Sequence, residues 1–434
     1  MSEKFQAPRG TNDIIPGPRQ KDTIFESHRW QYIEGEFLGT AWLYGYQEIR
    51  TPIFEDIELF LRTSGDASEI VSKEMYEFYD KGERHVALKP EGTAPVMRAY
   101  LEHGIGNLGG PTRLCYINHS FRYGRPGKGR YRQLHQLGME IVGSDSPLAD
   151  AEIIIATHDF FTRIGLASTH VMLNCIGNFE TRTTFGEVIL NHLKGYFDSL
   201  DEETQSKLIK NPIRLLDTKE EKLRTALEGL PPITDFLSAE SKANFEQVQA
   251  ALTQAGIPFT LDPGIVRGLD YYNDTVFEFV DDDLPGLSLC GGGRYDSLIE
   301  QIGGKATPSA GVGIGLERLL LTLEQKEIEI PGPMPDAFLI AATEEARPAL
   351  RELAADLRAS DFSVQLDIEG KNIKQQFKAA DRANALYSLI LGEDELKKGV
   401  VTVKNMATQN QVTVNRDEIE QWLLEATMTE EENG

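Results

Sequence analysis

At 434 residues, with 40% hydrophobic and 26% charged content, the chain has a soluble globular composition and is too long for one ordinary core, so two or three domains are expected. A formal net charge of -24 excludes a protein that coats nucleic acid nonspecifically, but leaves room for a local basic patch. No apolar run approaches a membrane span, the N-terminal MSEKFQAPRG has no signal-peptide hydrophobic region, and Cys115, Cys175 and Cys290 form no CxxC pair. The expectations are therefore a cytoplasmic protein, no membrane partner, reduced thiols, and no metal held by a protein cluster.

In chain order, Arg9 to Gly17 is turn-rich and a long helix is predicted from about Arg19 to Tyr44. Tyr46 to Glu55 is strand-like up to Pro52, which cannot donate to a ladder and suits a strand end or edge. Arg84 to Leu88 predicts a short strand, with a helix beginning at Thr93 as N-cap and Pro95 in its first turn. Glu91 then lies at a strand-to-helix corner, either reaching into a cleft or merely favouring a helix N-terminus. Phe121 to Glu140 packs Arg122, Arg125, Lys128, Arg130 and Arg132 into a Gly/Pro-broken loop. An alternating segment follows, with Leu137, Met139 and Ile141 on one face and Gln136, Gly138 and Glu140 on the other. A solvated hairpin would not need a polar, glycine-opened inner face, so this stretch predicts a site for a polyanion beside a small polar ligand.

Ala149 to Ile164 predicts a helix, His170 to Cys175 a strand, and about 181–256 a small helical insertion with no catalytic constellation. Gly264 to Val280 is sheet-like. Its Arg267 and Asp270 either pair to brace a turn, or offer an arginine to a phosphate beside Tyr271 and Tyr272. The glycines of Cys290 to Leu298 match neither a Rossmann nor a P-loop pattern. Gly311, Gly313 and Gly315 alternate with Ala310, Val312 and Ile314, a strand with one bare face that either receives a flat group or makes room for a neighbouring strand. The helix starting near Leu316 puts Arg318 in its first turn, where helix end and guanidinium can hold one phosphate.

The Pro/Gly stretch from Ile330 to Pro335 marks a boundary. Beyond it strands and helices alternate: strands at 337–341, 362–366 and 387–391, helices to Ala359 and over 372–384, a strand pair at 400–404 and 411–414, and a last helix. Lys371, Lys374, Lys378 and Arg382 form a stripe opposite Ile373, Phe377 and Ala380, which suits an RNA backbone or is only a solvated face. Residues 426–434 are expected to be a disordered acidic tail.

From Arg9 to about Leu424 the chain resembles the histidyl-tRNA synthetases, a class II aminoacyl-tRNA synthetase family. The resemblance rests on a motif 1 segment ending at Pro52, a motif 2 hairpin opened by Phe121-Arg122, and a motif 3 GIGLERLLL containing Arg318. Two family-specific stretches add to it, VRGLDYYNDTVFEF (Val266 to Phe279) and GGGRYDSLIEQIGG (Gly291 to Gly304). It implies an α+β fold: a mainly antiparallel sheet flanked by helices over 1–330, with the insertion, and an α/β anticodon-binding domain over 331–425. The implied substrates are ATP, carried with Mg²⁺, L-histidine and tRNA-His, and the implied assembly is a homodimer through motif 1. Arg122 would meet the α-phosphate, Arg318 the γ-phosphate, and Gly313 and Gly315 the adenine. Arg267 would stabilise the transition state, making Arg122 and Arg267 the catalytic pair. Glu91, Thr93 and Gln136 would hold the α-ammonium; Glu140 and Tyr272, with Tyr271 beside it, would surround the imidazole. Arg125, Lys128, Lys374 and Lys378 would contact tRNA. Gly124 and Gly127 depart from the family's FRxERPQ pattern, with backbone groups or neighbouring arginines expected to substitute. The alternative, a synthetase-like regulatory subunit of ATP phosphoribosyltransferase, lacks the anticodon-binding domain and has an eroded site, whereas Arg122, Arg267, Arg318 and that domain are present here.

Overall fold

The computed structural model describes residues 5–18, 23–64, 70–197, 200, 205–206, 209, 211–218, 220–281, 283 and 288–431. The chain forms two compact units that divide after Ile330.

In the first unit, the strands are β1 (Gln47–Glu48), β2 (Phe54–Asp56), β3 (Tyr76–Tyr79), β4 (His85–Leu88), β5 (Thr112–Phe121), β6 (Gln133–Val142), β7 (Thr169–Cys175), β8 (Phe259–Leu261), β9 (Asn273–Asp281), β10 (Ser288–Arg294) and β11 (Ser309–Gly315). Eight make one sheet in the order β1-β5-β6-β11-β10-β9-β7-β8, antiparallel except for the outermost pairs β1/β5 and β7/β8. β2, β4 and β3 make a second, small sheet, and Pro52 lies just outside it. Alternation in β6 and β11 sends Leu137, Met139, Ile141, Val312 and Ile314 into one core, covered by helices Ser27–Leu43, Pro147–Arg163, Ala239–Gln254 and Leu316–Gln325. Helix Ala239–Gln254, expected within the insertion, belongs to this core through Phe245, Val248 and Leu252. Helix Thr93–Glu102 and most of the insertion, including helix Phe179–His192, pack on the opposite face.

The predicted helix over 19–44 is observed as Ser27–Leu43 after a short 3-10 turn, and residues 19–22 lie outside the described residues. Residues 264–272, expected to be strand, form turns instead, and β9 begins only at Asn273. The cause is long-range. Asn174 Nδ2 donates to the carbonyls of Pro263 and Ile265, and Arg182 donates to those of Asp270 and Tyr272, so the segment's acceptors are spent outside any ladder.

The second unit is a five-stranded sheet, β13-β12-β14-β15-β16, built from β12 (Ala337–Ala341), β13 (Val364–Leu366), β14 (Tyr387–Leu391), β15 (Val400–Asn405) and β16 (Gln411–Asn415). Leu339 faces helices Ala346–Ala359 and Ile419–Glu431, while Phe338 and Ile340 face helix Ile373–Arg382. That helix differs from its sequence reading, because Ile373 is exposed and Gln376 is buried. The Gln376 amide takes the place of a ladder partner, accepting from Ala341 N and donating to Ala341 O. Lys374, Lys378 and Arg382 are exposed, and Lys371 is ion-paired to Glu369. A short helix at Glu393–Lys398 was not predicted. The last helix continues to Glu431, so the expected disordered tail is helical through that residue; 432–434 lie outside the described residues. No helix among the described residues is long and apolar enough to cross a membrane.

A buried ion pair fastens the large sheet to the covering helix Pro147–Arg163. Arg294, at the end of β10, donates to both Asp150 oxygens (2.7 and 3.2 Å) and to the carbonyls of Ser144 and Ser146. Asp150→Ala would leave this buried guanidinium with only Asp296, at 3.1 Å and partly exposed, as a counter-ion. The expected loss is about 3–5 kcal/mol, read as a lowered urea midpoint for the first unit.

Candidate active site

Register builds the floor of the site. β6 pairs with β11 so that Gln136, Gly138 and Glu140 stand opposite Gly315, Gly313 and Gly311, and β11 pairs with β10 so that Gly313 and Gly311 stand opposite Gly291 and Gly293. Directly opposed residues share a face, so this face is almost free of side chains. The glycines serve different neighbours. A Cβ at 311 would overlap the Glu140 carboxylate, one at 291 the Arg267 guanidinium, and one at 138 the Tyr116 ring. At Gly313 and Gly315 the space is open, with Gln136 Nε2 at 3.7 Å from the first and the Arg318 side chain at 3.6 Å from the second. The bare face thus makes room both for functional side chains and, at Gly313 and Gly315, for a ligand. Over it opens a cavity of about 330 Å³.

One end of the cavity carries small polar groups. Glu91 caps helix Thr93–Glu102 by accepting from the backbone N–H of Thr93 (2.6 Å) and Ala94 (2.7 Å); burial raises its pKa, and these bonds oppose the rise. Thr93 is not the N-cap, a place taken by Gly92, because its hydroxyl donates instead to Glu140 at 2.9 Å. Glu140 also accepts from Tyr116 (2.8 Å) and Tyr295. Burial pushes its carboxyl up to about 8 against these three hydroxyls. The structure therefore sets Glu140 behind the wall, while Glu91, Thr93, Gln136, Tyr271 and Tyr272 line the cavity itself.

Cations form the middle. Arg122, Arg267 and Arg318 all line the cavity, each held from behind. Arg122 Nε donates to Pro90 O and Arg318 Nη1 to Ser288 O, both at 2.8 Å, while Arg267 pairs with Glu278 and lies 6.0 Å from the Tyr272 ring centroid. Burial lowers the pKa of Arg122 and of Arg318, the latter also through Arg130; for Arg267 burial acts the same way but Glu278 and its neighbours outweigh it. Arginine stays charged in proteins. A half-buried cluster of three guanidiniums is a standing demand for a polyanion.

Two comparisons follow from the sequence and one from the fold. A family model described as histidyl-tRNA synthetase matches residues 25–319, and one described as an anticodon binding domain matches residues 336–426. The histidine–tRNA ligase of Bacillus cytotoxicus is 44% identical over 97% of this chain and 99% of its own length; that of Microcystis aeruginosa is 44% identical over 96% of each. The chain belongs to the histidyl-tRNA synthetase family. A crystal structure of the apo Staphylococcus aureus histidyl-tRNA synthetase superposes with a TM-score of 0.79, at 36% identity, over 97% of this chain and all of that one.

Against this family frame, the structure gathers Glu91, Thr93, Arg122, Gln136, Arg267, Tyr271, Tyr272, Gly313, Gly315 and Arg318 around one cavity, and leaves Arg125 and Lys128 exposed outside it. Arg267 and Asp270 do not pair. Asp270 accepts from Asn211 (2.7 Å) and Arg214 (3.0 Å), so the insertion braces the turn that carries the synthetase's Arg267. Sequence reasoning missed these two residues, which are remote in the chain and carry no periodic signal. It also missed Glu74, Tyr116 and Glu317. Glu317 sits beside Arg318 and accepts from the His135 backbone N–H (3.0 and 3.1 Å) and contacts its Nδ1 (2.8 Å), tying the helix start to β6.

The raised Glu140 pKa has a measurable sign. Between about pH 4.5 and 8 the folded chain holds a proton that the unfolded chain has lost, so this group's contribution to stability falls as pH rises through that window. Denaturant titrations at pH 5 and pH 8.5 should show wild type losing more stability than Glu140→Gln, whose amide cannot titrate.

Proposed function

We propose that this chain is a histidine–tRNA ligase that condenses L-histidine with ATP and then esterifies tRNA-His. The observation that carries the proposal is three arginines, of which Arg267 is ion-paired to Glu278, meeting a small polar pocket in one cavity. Family membership supplies the reaction class. Glu91, Thr93 and Gln136 receive the α-ammonium. Tyr272 meets the imidazole, with Tyr271 packed on it at 4.7 Å and Glu140 acting from behind through Thr93 and Tyr116. An imidazole offers one donor and one acceptor, or two donors, and a site built around that pattern rejects analogues that leave it unpaired.

In the first step a histidine carboxylate oxygen attacks the α-phosphorus. The new O–P bond forms as the bond to the bridging oxygen breaks, and pyrophosphate leaves with that electron pair. No protein nucleophile takes part and no proton moves. Catalysis is alignment plus charge stabilisation, with Arg122 and Arg267 on the α-phosphoryl oxygens and Arg318 on the outer phosphates. Mg²⁺ is a cation usually held by one or two carboxylates together with substrate phosphates. Glu278, on the cavity wall and ion-paired to Arg267, is a carboxylate that would share it with the phosphates. When bound, Mg²⁺ neutralises charge on the departing pyrophosphate. In the second step a hydroxyl of the tRNA 3′-terminal ribose attacks the histidyl carbonyl, losing its proton as AMP leaves.

The exposed loop cations Arg125 and Lys128 face the acceptor end of tRNA, and the second unit, through Lys374 and Lys378, its anticodon arm. Ile53 and Phe54, about half exposed beside Pro52, are apolar surface that a second copy covers in a homodimer. The reaction takes place in the cytoplasm.

Histidine-dependent exchange of labelled pyrophosphate into ATP, without tRNA, tests the first step. Wild type exchanges with histidine alone among the amino acids, and Arg267→Ala loses about 10²–10³-fold in rate. Charge reversal at both Lys374 and Lys378 should weaken tRNA charging, about tenfold or more at physiological salt, with exchange unchanged; equal loss of both steps contradicts the assignment of the second unit.

A further inference from the structure

Four carboxylates among the described residues line the cavity: Glu74, Glu91, Glu278 and Glu317. Three are engaged by protein donors. Glu91 accepts from the N-terminus of helix Thr93–Glu102, Glu278 pairs with Arg267, and Glu317 holds His135. Glu74 is placed differently. It ends the short helical turn Ile70–Glu74, and its carbonyl accepts the backbone N–H of Tyr123 at 2.6 Å, which pins this turn against the motif 2 hairpin. Its Oε1 lies only 3.0 Å from where a Cβ on Gly124 would stand, and the nearest other group, Arg130 Cδ, is 3.9 Å from that point. The Glu74 carboxylate thus fills the space that the missing side chain of residue 124 leaves at the cavity wall.

We propose that Glu74 is a nucleobase-specificity residue that accepts a hydrogen bond from the exocyclic amine of the bound purine, doing from another segment what a carboxylate at position 124 would do. The inference rests on the reading of the cavity as an ATP site. With phosphates on Arg122, Arg267 and Arg318 and histidine beside Glu91, the wall that includes Glu74, Gly124, Gly129 and Leu134, together with the bare floor at Gly313 and Gly315, is left for the base. Gly124 and Gly129 keep that wall low enough for a flat ring, and a carboxylate, which only accepts, selects a base edge that donates. A 6-amino purine offers such an edge; a purine bearing no amine leaves the carboxylate buried against the ring without a partner. Gly124 is not among the positive-φ glycines, so a side chain there meets a tight contact with the Glu74 carboxylate and no backbone strain.

The test uses the full chain in the histidine-dependent exchange assay, with ATP and with purine riboside triphosphate, which differs from ATP only in lacking the 6-amino group. Wild type should prefer ATP by about 10–100-fold in kcat/KM, the range of one hydrogen bond to a charged group. Glu74→Ala should bring that preference close to unity by raising the KM for ATP, with the KM for histidine and the melting temperature unchanged. Gly124→Glu alone sets two carboxylates against each other and should raise the KM for ATP, whereas the double variant Glu74→Ala, Gly124→Glu should regain the preference for ATP. A Glu74→Ala protein that still exchanges and still prefers ATP as wild type does would overturn the proposal. So would an equal change for both nucleotides, which would reduce Glu74 to neutralising Arg122. Absence of exchange in wild type with every amino acid overturns the ATP reading on which the proposal stands, and is distinct from either result.

Discussion

Glu140 can be buried in the large sheet only because residue 311 has no side chain. The two stand opposite each other in the β6/β11 register, and a Cβ on 311 would occupy the carboxylate's place. Much of the site hangs on that one constraint. The buried carboxylate draws in the hydroxyls of Thr93, Tyr116 and Tyr295, and these fix the helix corner that presents Glu91 and the ring that walls the polar pocket. A one-residue slip of β6 would send Glu140 into the apolar core and Met139 into the site, so the register is specified from both faces of the strand at once. Burial of the carboxylate opposes stability above its folded-state pKa, and the hydroxyl network offsets part of that cost.

The cationic half of the site follows another logic. Arg122, Arg267 and Arg318 come from a hairpin, a turn and a helix that are far apart in sequence, and each is steadied by a carbonyl or a carboxylate behind it. Like charges held together, with only Arg267 ion-paired, disfavour the empty site, and the polyanion that relieves them is the substrate. Positioning is then largely complete before ATP arrives, the condition under which electrostatic stabilisation of an in-line displacement is most effective. The insertion contributes to this rigidity: Asn211 and Arg214 hold Asp270, and Arg182 holds the carbonyls on either side of Tyr271.

What was legible in the sequence was what local pattern encodes. Alternation in 136–141 and 310–315 marked both faces of the central strands, and Phe121-Arg122, VRGLDYYNDTVFEF and GIGLERLLL marked the three arginines. Interactions between distant segments were not legible. The stretch around Arg267 has strand-like composition, yet Asn174 and Arg182 capture its carbonyls and leave it as turns. Thr93 has the chemistry of an N-cap, but the buried Glu140 competes for its hydroxyl and Glu91 caps the helix instead. Gly124 read as a missing contact, whereas the structure sets the Glu74 carboxylate, fifty positions earlier in the chain, against that glycine. In the second unit too the decisive partner is distant: Gln376 is buried through its bonds to both backbone groups of Ala341, with a further bond to the Lys371 carbonyl.

The central claim is that one preorganised cavity holds the amino acid and the nucleotide together. Calorimetric titration with an unreactive histidyl-adenylate analogue, its phosphate replaced by a sulfamate, tests this most directly. The account predicts one site per chain, and a saturated protein that binds neither ATP nor histidine. Binding of either substrate to the analogue-saturated protein would contradict it.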